Sequence, residues 1–181
     1  MYGMQGVVVK IGGSLIDAAG GVLKELAESK IPVLVIPGGG VFADSVREAE
    51  LDDDASHWQA ISSMNRYGRF LSTFGFPVTE SLALPKAGVS ILLPEKILRR
   101  CDPLPHSWDV TSDSIALWAA GELSASLLLI KSREGDASDT ELVDAYFPHL
   151  QASLDVSVRF ANGRAEGSVS RQLSAVEATR L

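Results

Sequence analysis

The 181-residue chain (19.3 kDa) is 46% hydrophobic, enough to bury a core, and its length suits a single domain over residues 1–181. A net charge of -7, a pI near 4.9 and the lack of any Lys or Arg run leave nothing to attract a phosphate backbone, so no nucleic acid partner is expected. There is no signal-type N-terminus and no stretch of roughly 18 apolar residues, and the single cysteine, Cys101, excludes an internal disulfide or a multi-Cys zinc site, so a cytoplasmic protein without a membrane partner is expected.

Residues 7–11 (VVVKI) form a β-branched run closed by Gly12-Gly13-Ser14, which reads as a buried strand leading into a glycine turn. Ala19, Val22, Leu23, Leu26 and Ala27 then recur at helical spacing and give one apolar face that can pack on a sheet. Lys30-Ile31-Pro32 turns the chain into 33–36 (VLVI), which again meets glycines, at Pro37-Gly38-Gly39-Gly40, and again leads into a predicted helix, over 41–50. The acidic run Asp52-Asp53-Asp54 precedes a helix whose Trp58, Ile61, Met64, Gly68 and Leu71 share a face, a place where carboxylates cap a helix rather than bind a metal. Two further unalternating apolar strands, 89–93 and 127–131, are followed by or interleaved with predicted helices at 112–123 and 141–150. Continuous apolar strands between helices imply an α/β fold, a three-layer αβα sandwich with a mostly parallel central sheet. Residues 154–160 alternate and end at Asn162-Gly163, predicting an edge strand followed by a turn or hairpin, while the tail beyond Ser168 is ambiguous.

Glycine turns at strand ends let a ligand approach the backbone, and the amides of a following helix point at an anion, so two such turns can hold two phosphates. Neither turn matches GxxxxGK[ST] or GxGxxG, and each is also readable as an ordinary tight turn. Lys10 ends an apolar strand just before the glycines, a costly place for an ammonium group unless an anion meets it. Lys131 closes the strand LLLIK in the same way, so in a parallel sheet both ammonium groups emerge at the carboxyl edge, where open α/β sheets bind ligands. Snorkelling to solvent is the competing reading for either lysine alone. Thr111-Ser112-Asp113-Ser114 opens a helix: either Ser112 or Asp113 caps it, or Asp113 holds the two lysines in place. Phosphoryl transfer needs positioning and charge neutralisation by lysines, Mg²⁺ and backbone donors, which this set fits. No Ser-His-Asp spacing is present, and His57, His106 and His149 lack metal-ligand spacing, so no protein metal site is expected.

The segments VVVKIGGSL, IPGGGVFADSVR, TSDSIALWAAG and LLLIKS, in order over residues 6–148, resemble the amino acid kinase superfamily. The resemblance implies that Lys10 and Lys131 contact the transferring phosphoryl group and that Asp113 orients them. It also implies that Gly12, Gly13, Ser14, Gly38, Gly39, Gly40 and Ser132 cradle nucleotide and acceptor phosphates, with ATP and Mg²⁺ as cofactors and a homo-oligomer as the usual assembly. The second turn lacks the His-Gly-Gly of acetylglutamate kinases, and no Ser-Phe-Gly-His loop marks an isopentenyl phosphate kinase. The short length, PGGGVFADSVR, His57-Trp58 and VDAYFP at 143–148 are instead similar to the small kinases of methanofuran biosynthesis, which implies a small phosphorylated acceptor, an aminomethylfuran monophosphate, converted to its diphosphate. A phosphate oxygen is nucleophilic at neutral pH without a general base. The acceptor's ammonium and furan would want a carboxylate and a flat wall, making Asp44 or Asp109 with Phe42 or Trp108 the candidates, and Thr111 a further contact; capping or packing is the competing reading of each. A kinase for another small carboxylate, carbamate or phosphate acceptor, and a nucleotide-binding module without turnover, are the alternatives.

Overall fold

The computed structural model describes residues 6–49, 51–136, 139 and 141–179. Strands β1 (Val7–Ile11), β2 (Val33–Pro37), β3 (Val78–Thr79), β4 (Val89–Leu92), β5 (Ser126–Lys131) and β6 (Val158–Asn162) form one sheet in the order β3-β4-β2-β1-β5-β6. Every pairing in it is parallel. Around it lie helices α1 (Ala19–Ala27), α2 (Asp44–Glu48), α3 (Asp53–Ser72), α4 (Glu95–Cys101), α5 (Ser112–Glu122), α6 (Phe147–Ser153) and α7 (Ser168–Ala178), with 3-10 turns at Gly13–Leu15 and Gly40–Ala43.

The apolar runs are unbroken because the central strands are buried on both faces. Val9, Ile11, Val35, Leu128 and Ile130 face one core, shared with Leu23 and Leu26 of α1 and Leu173 of α7. Val8, Leu34, Ile36, Leu127 and Leu129 face the other, shared with Ile115 and Leu117 of α5 and Phe147 of α6. Each such side chain contributes about 1.5–3 kcal/mol of burial. Helix α3 belongs to both layers: Ile61 and Met64 pack in the second core, Tyr67 and Leu71 in the first. It crosses the carboxyl ends of β2 and β4 at Gly68, where a Cβ would meet Leu93 at 2.9 Å and Pro37 at 3.3 Å.

The chain builds β2, β3 and β4 on one side of β1, then returns to place β5 and β6 on the other. The order therefore reverses beside β1, and the carboxyl edge there is the place where open parallel sheets leave a crevice for a ligand.

Three expected elements differ. The helix predicted over 41–50 is a 3-10 turn followed by the short α2, with residue 50 outside the described residues. The helix predicted over 141–150 begins only at Phe147, where Pro148 favours a first turn. The edge strand predicted over 154–160 is β6, which begins only at Val158 and runs to Asn162, parallel to β5; of the turn or hairpin expected after it, the turn is present and leads into α7. Glu25 of α1 accepts from the Ser170 amide and hydroxyl at 2.8 and 2.9 Å, fixing the first turn of α7 from outside it.

Candidate active site

Side-chain parity sets the site. Val7, Val9 and Ile11 face the α1 layer and Val8 the α5 layer, so Lys10 also points to the α5 side. On β5, Leu127 and Leu129 face α5, so Lys131 does too. Lys10 pairs in register with Leu129, which puts Lys131 two residues further along the neighbouring strand and on the same face. Helix α5 covers that face and brings Asp113, in its first turn, between them.

Asp113 accepts from Lys131 at 2.7 Å through each carboxylate oxygen, and its Oδ1 lies 2.9 Å from Lys10 Nζ. Side-chain exposures of 7% for Lys10, 7% for Asp113 and 13% for Lys131 make this a buried ion triad. Burial alone would raise the Asp113 carboxyl, but the charges of Lys10 and Lys131 outweigh it and hold the group below the ordinary carboxylate value. Lys131 is lowered to about 8, by burial first and then by the charge of Lys10, against the opposing pull of Asp113. Two cations on one anion leave a net positive charge in a largely dehydrated place, which is complementary to a polyphosphate.

Of the two readings of Asp113, capping is the one the structure does not show. Thr111 occupies the N-cap position of α5, and the first-turn donors go instead to Asp144. Asp144 Oδ2 accepts from the Thr111 amide (2.8 Å), the Thr111 hydroxyl (2.9 Å) and the Ser114 amide (3.0 Å), while Oδ1 accepts from the Ser114 hydroxyl (2.5 Å) and the Phe147 amide (3.0 Å). This carboxylate leaves Asp113 free to turn toward the lysines. It lies inside VDAYFP, but nothing in the sequence links it to the start of α5, so sequence reasoning missed its role.

The two glycine turns lie against each other. A Cβ on Gly13 would fall 1.9 Å from Gly40 Cα, and one on Gly38 would fall 2.9 Å from the Gly13 amide nitrogen. Gly40 also has φ +57°, a left-handed backbone that favours glycine. The Gly12 amide donates to Ile130 O at 3.1 Å and the Gly38 amide to Ile11 O at 2.9 Å, so these two glycines close the turns rather than offer donors to a ligand. Gly13, Ser14, Gly39 and Gly40 line a cavity of about 500 Å³ that Lys10 and Asp113 also reach. Arg164 steadies this turn, its guanidinium gripping both Asp17 oxygens at 2.9 Å and the Ser14 carbonyl at 2.9 Å.

The cavity runs from Lys10 and Asp113 out between α3 and the segment before α5, with Lys131 behind Asp113 and outside the lining. Its far wall carries Ile61, Met64, Trp108 and Val110, with Asp44 and Asp53 as carboxylates and Thr111 beside them. Of the residues expected from the sequence to contact an acceptor, Asp44, Trp108 and Thr111 line this cavity. Two candidates do not. Phe42 packs on Tyr67, ring centroids 6.3 Å apart, with the Arg66 guanidinium 5.9 Å from its ring, and Asp109 lies outside the lining. Ser132, just past the end of β5, is not among the residues lining this cavity. Asp52 does cap α3, accepting from the Ala55 amide at 2.7 Å, but Asp54 instead contacts His106.

At the rim, His57 stacks on His106 with ring centroids 4.1 Å apart. His106 lies between two carboxylates, Nδ1 at 2.6 Å from Asp54 and Nε2 at 2.8 Å from Asp102, and their hydrogen bonds raise it above the ordinary histidine value. Burial and the charge of His106 lower His57. The expectation of scattered histidines is therefore corrected for this pair, which tertiary folding, not sequence spacing, brings together.

No protein-family model matches the chain. The fold aligns with the solved structure of the uridylate kinase of Archaeoglobus fulgidus at a TM-score of 0.61, over 95% of each chain and with 15% identity. That likeness is one of fold, and it is the amino acid kinase fold, with both lysines and the aspartate in its carboxyl-edge crevice. The sequence narrows the class: the chain is 30% identical over 189 aligned residues to the [5-(aminomethyl)furan-3-yl]methyl phosphate kinase of Methanocaldococcus jannaschii, covering 87% of this chain and 88% of that one. The chain is a kinase and belongs to the family of that phosphate kinase, within the amino acid kinase superfamily.

Proposed function

We propose that the protein transfers the γ-phosphoryl group of ATP to the phosphate of [5-(aminomethyl)furan-3-yl]methyl phosphate, giving the diphosphate and ADP. The observation that carries this reading is the buried Lys10–Asp113–Lys131 triad at the head of a cavity whose walls are both acidic and apolar. The substrate enters from the relative's activity, and the cavity suits it. Gly39, Gly40 and Lys10 lie at the end suited to a phosphate, Ile61, Met64 and Trp108 form a wall for a furan, and Asp44 and Asp53 offer charge to an ammonium group.

In the step itself, an acceptor phosphate oxygen forms a bond to the γ-phosphorus while the bond to the β,γ-bridging oxygen breaks and ADP departs. Lys10 and Lys131 flank the transferring group and neutralise charge on its equatorial oxygens, and Asp113 keeps both ammonium groups fixed so that little reorganisation accompanies transfer. A Mg²⁺ ion bound with the nucleotide would supply further charge neutralisation. Both Asp113 oxygens already meet ammonium groups, so the phosphates rather than this carboxylate would carry the ion. Among the described residues no helix is long and apolar enough to cross a membrane, and we place the enzyme in the cytoplasm, as a homo-oligomer.

ADP release with Mg-ATP, measured across the aminomethylfuran monophosphate, acetylglutamate, carbamate, UMP and isopentenyl phosphate, tests the reading. Selective turnover of the furan compound is expected. Turnover of acetylglutamate or carbamate, with a hydroxamate formed on adding hydroxylamine, would replace the acceptor class; no turnover with any of them would leave a nucleotide-binding module.

A further inference from the structure

We propose that His57, Asp102 and His106 bind one divalent transition-metal ion of the zinc class at the rim of the acceptor cavity, with Asp54 holding His106 from behind. One ligand atom from each of the three residues lies within 4.8 Å of the other two. Ligands about 2.0–2.2 Å from a shared tetrahedral ion stand about 3.4 Å apart, so closure must draw the three atoms together and turn one of the stacked imidazoles until both ring nitrogens point at the ion. Asp102 Oδ1 and His106 Nε2 are already 2.8 Å apart, and the two imidazole rings are nearly parallel, inclined by 18°.

The surroundings of His106 support a ligand rather than a chance contact. An imidazole between two carboxylates either carries a proton on each nitrogen or exchanges one proton for a metal. Asp54 at 2.6 Å can accept a hydrogen bond from Nδ1–H, fixing the tautomer that leaves Nε2 to coordinate, which is the usual outer-sphere support of a metal-binding histidine. Asp102 sits at φ +40°, a costly backbone for a residue other than glycine, immediately after α4. Its carboxylate meets His106 from there.

Two imidazole nitrogens and one carboxylate oxygen suit Zn²⁺, Co²⁺ or Ni²⁺, whereas Mg²⁺ takes oxygen ligands, so this site is chemically distinct from the one where a nucleotide's Mg²⁺ would sit. It joins the beginning of α3 to the end of α4 and to the segment leading to Trp108 and Thr111. His57, Trp108 and Thr111 all line the cavity, so an ion here would order one wall of it. None of this depends on which acceptor the enzyme uses.

The test is titration of the chelator-stripped full chain with Co²⁺, followed by its visible absorption, and with Zn²⁺, followed by calorimetry. One equivalent in the micromolar range is expected. Binding should weaken by about 100-fold or more in His57→Gln and His106→Gln, and by about 10-fold in Asp54→Asn, which keeps all three ligands and whose side chain is exposed, so the fold is retained. Cys101→Ser controls for the adjacent exposed thiol and should bind normally. Binding at wild-type affinity in the His57→Gln/His106→Gln double variant, binding that disappears in Cys101→Ser, or no binding to the wild-type protein would overturn the proposal.

Discussion

Two clusters of cations and carboxylates reach one cavity, the first through Lys10 and Asp113 and the second through His57, and they differ in their access to water. In the triad, side-chain exposures run from 7% to 13%. At the rim, Asp54 is 80% exposed, Asp102 50% and His106 20%. Water screens the rim pairs, so their charge contributes little to stability, about 0–1 kcal/mol each. The triad has no such screening, and removing its one carboxylate, Asp113, leaves two uncompensated ammonium groups in the core. The same chemistry therefore serves fixed positioning in one place and leaves ligand positions open in the other.

The largest expected effect follows from breaking the triad at its centre. Asp113→Asn leaves two buried ammonium groups facing a neutral amide and should lower the unfolding free energy in urea by about 3–5 kcal/mol, whereas Asp102→Asn should change it by less than about 1 kcal/mol. Equal losses at the two sites would end the distinction. Lys10→Met should lower kcat about 10²–10³-fold with an unchanged circular dichroism spectrum, the usual cost of losing one preorganised charge at the transition state; full turnover would remove Lys10 from the chemistry.

Proton titration separates stability from activity. With Lys131 lowered from 10.5 to about 8 in the folded protein, the unfolded chain binds more protons between those values, so this group makes stability rise with pH through that window. Activity needs the charged form, so kcat/KM should fall as pH passes about 8, and Lys131→Arg should move that fall to higher pH. A pH-independent kcat/KM up to pH 10 in the wild type would contradict the assignment.

The glycines give the smallest pair of effects. Gly13→Ala forces the two turns apart and should cost about 1–3 kcal/mol with a loss of activity. Gly21→Ala in α1, where an added Cβ meets nothing within 4 Å, should instead stabilise the protein by up to about 1 kcal/mol.

The sequence shows most clearly what strand periodicity dictates. Lys10 and Lys131 each end an apolar run, and parity with the valines and leucines before them places both on one face. Asp113 was legible only as one of two readings, because a carboxylate in the first turn of a helix is commonly a cap; Asp144 settles the local hydrogen bonding from a distant loop. Helix α7 escaped for a similar reason, since part of its N-terminal support comes from Glu25, far away in sequence. His57 and His106 carry no local signal of each other, and Phe42 and Asp109 fit an acceptor by chemical type alone, which does not fix where a side chain points. What sequence reasoning missed is therefore chiefly contact between residues distant along the chain.

The most direct test of the central claim is phosphorus-31 NMR of wild-type protein incubated with Mg-ATP and the aminomethylfuran monophosphate. Growth of two coupled diphosphate resonances matching the loss of ATP, abolished in Lys10→Met, is the predicted result. ATP consumption that yields only inorganic phosphate, or an equal diphosphate signal from the variant, would contradict it.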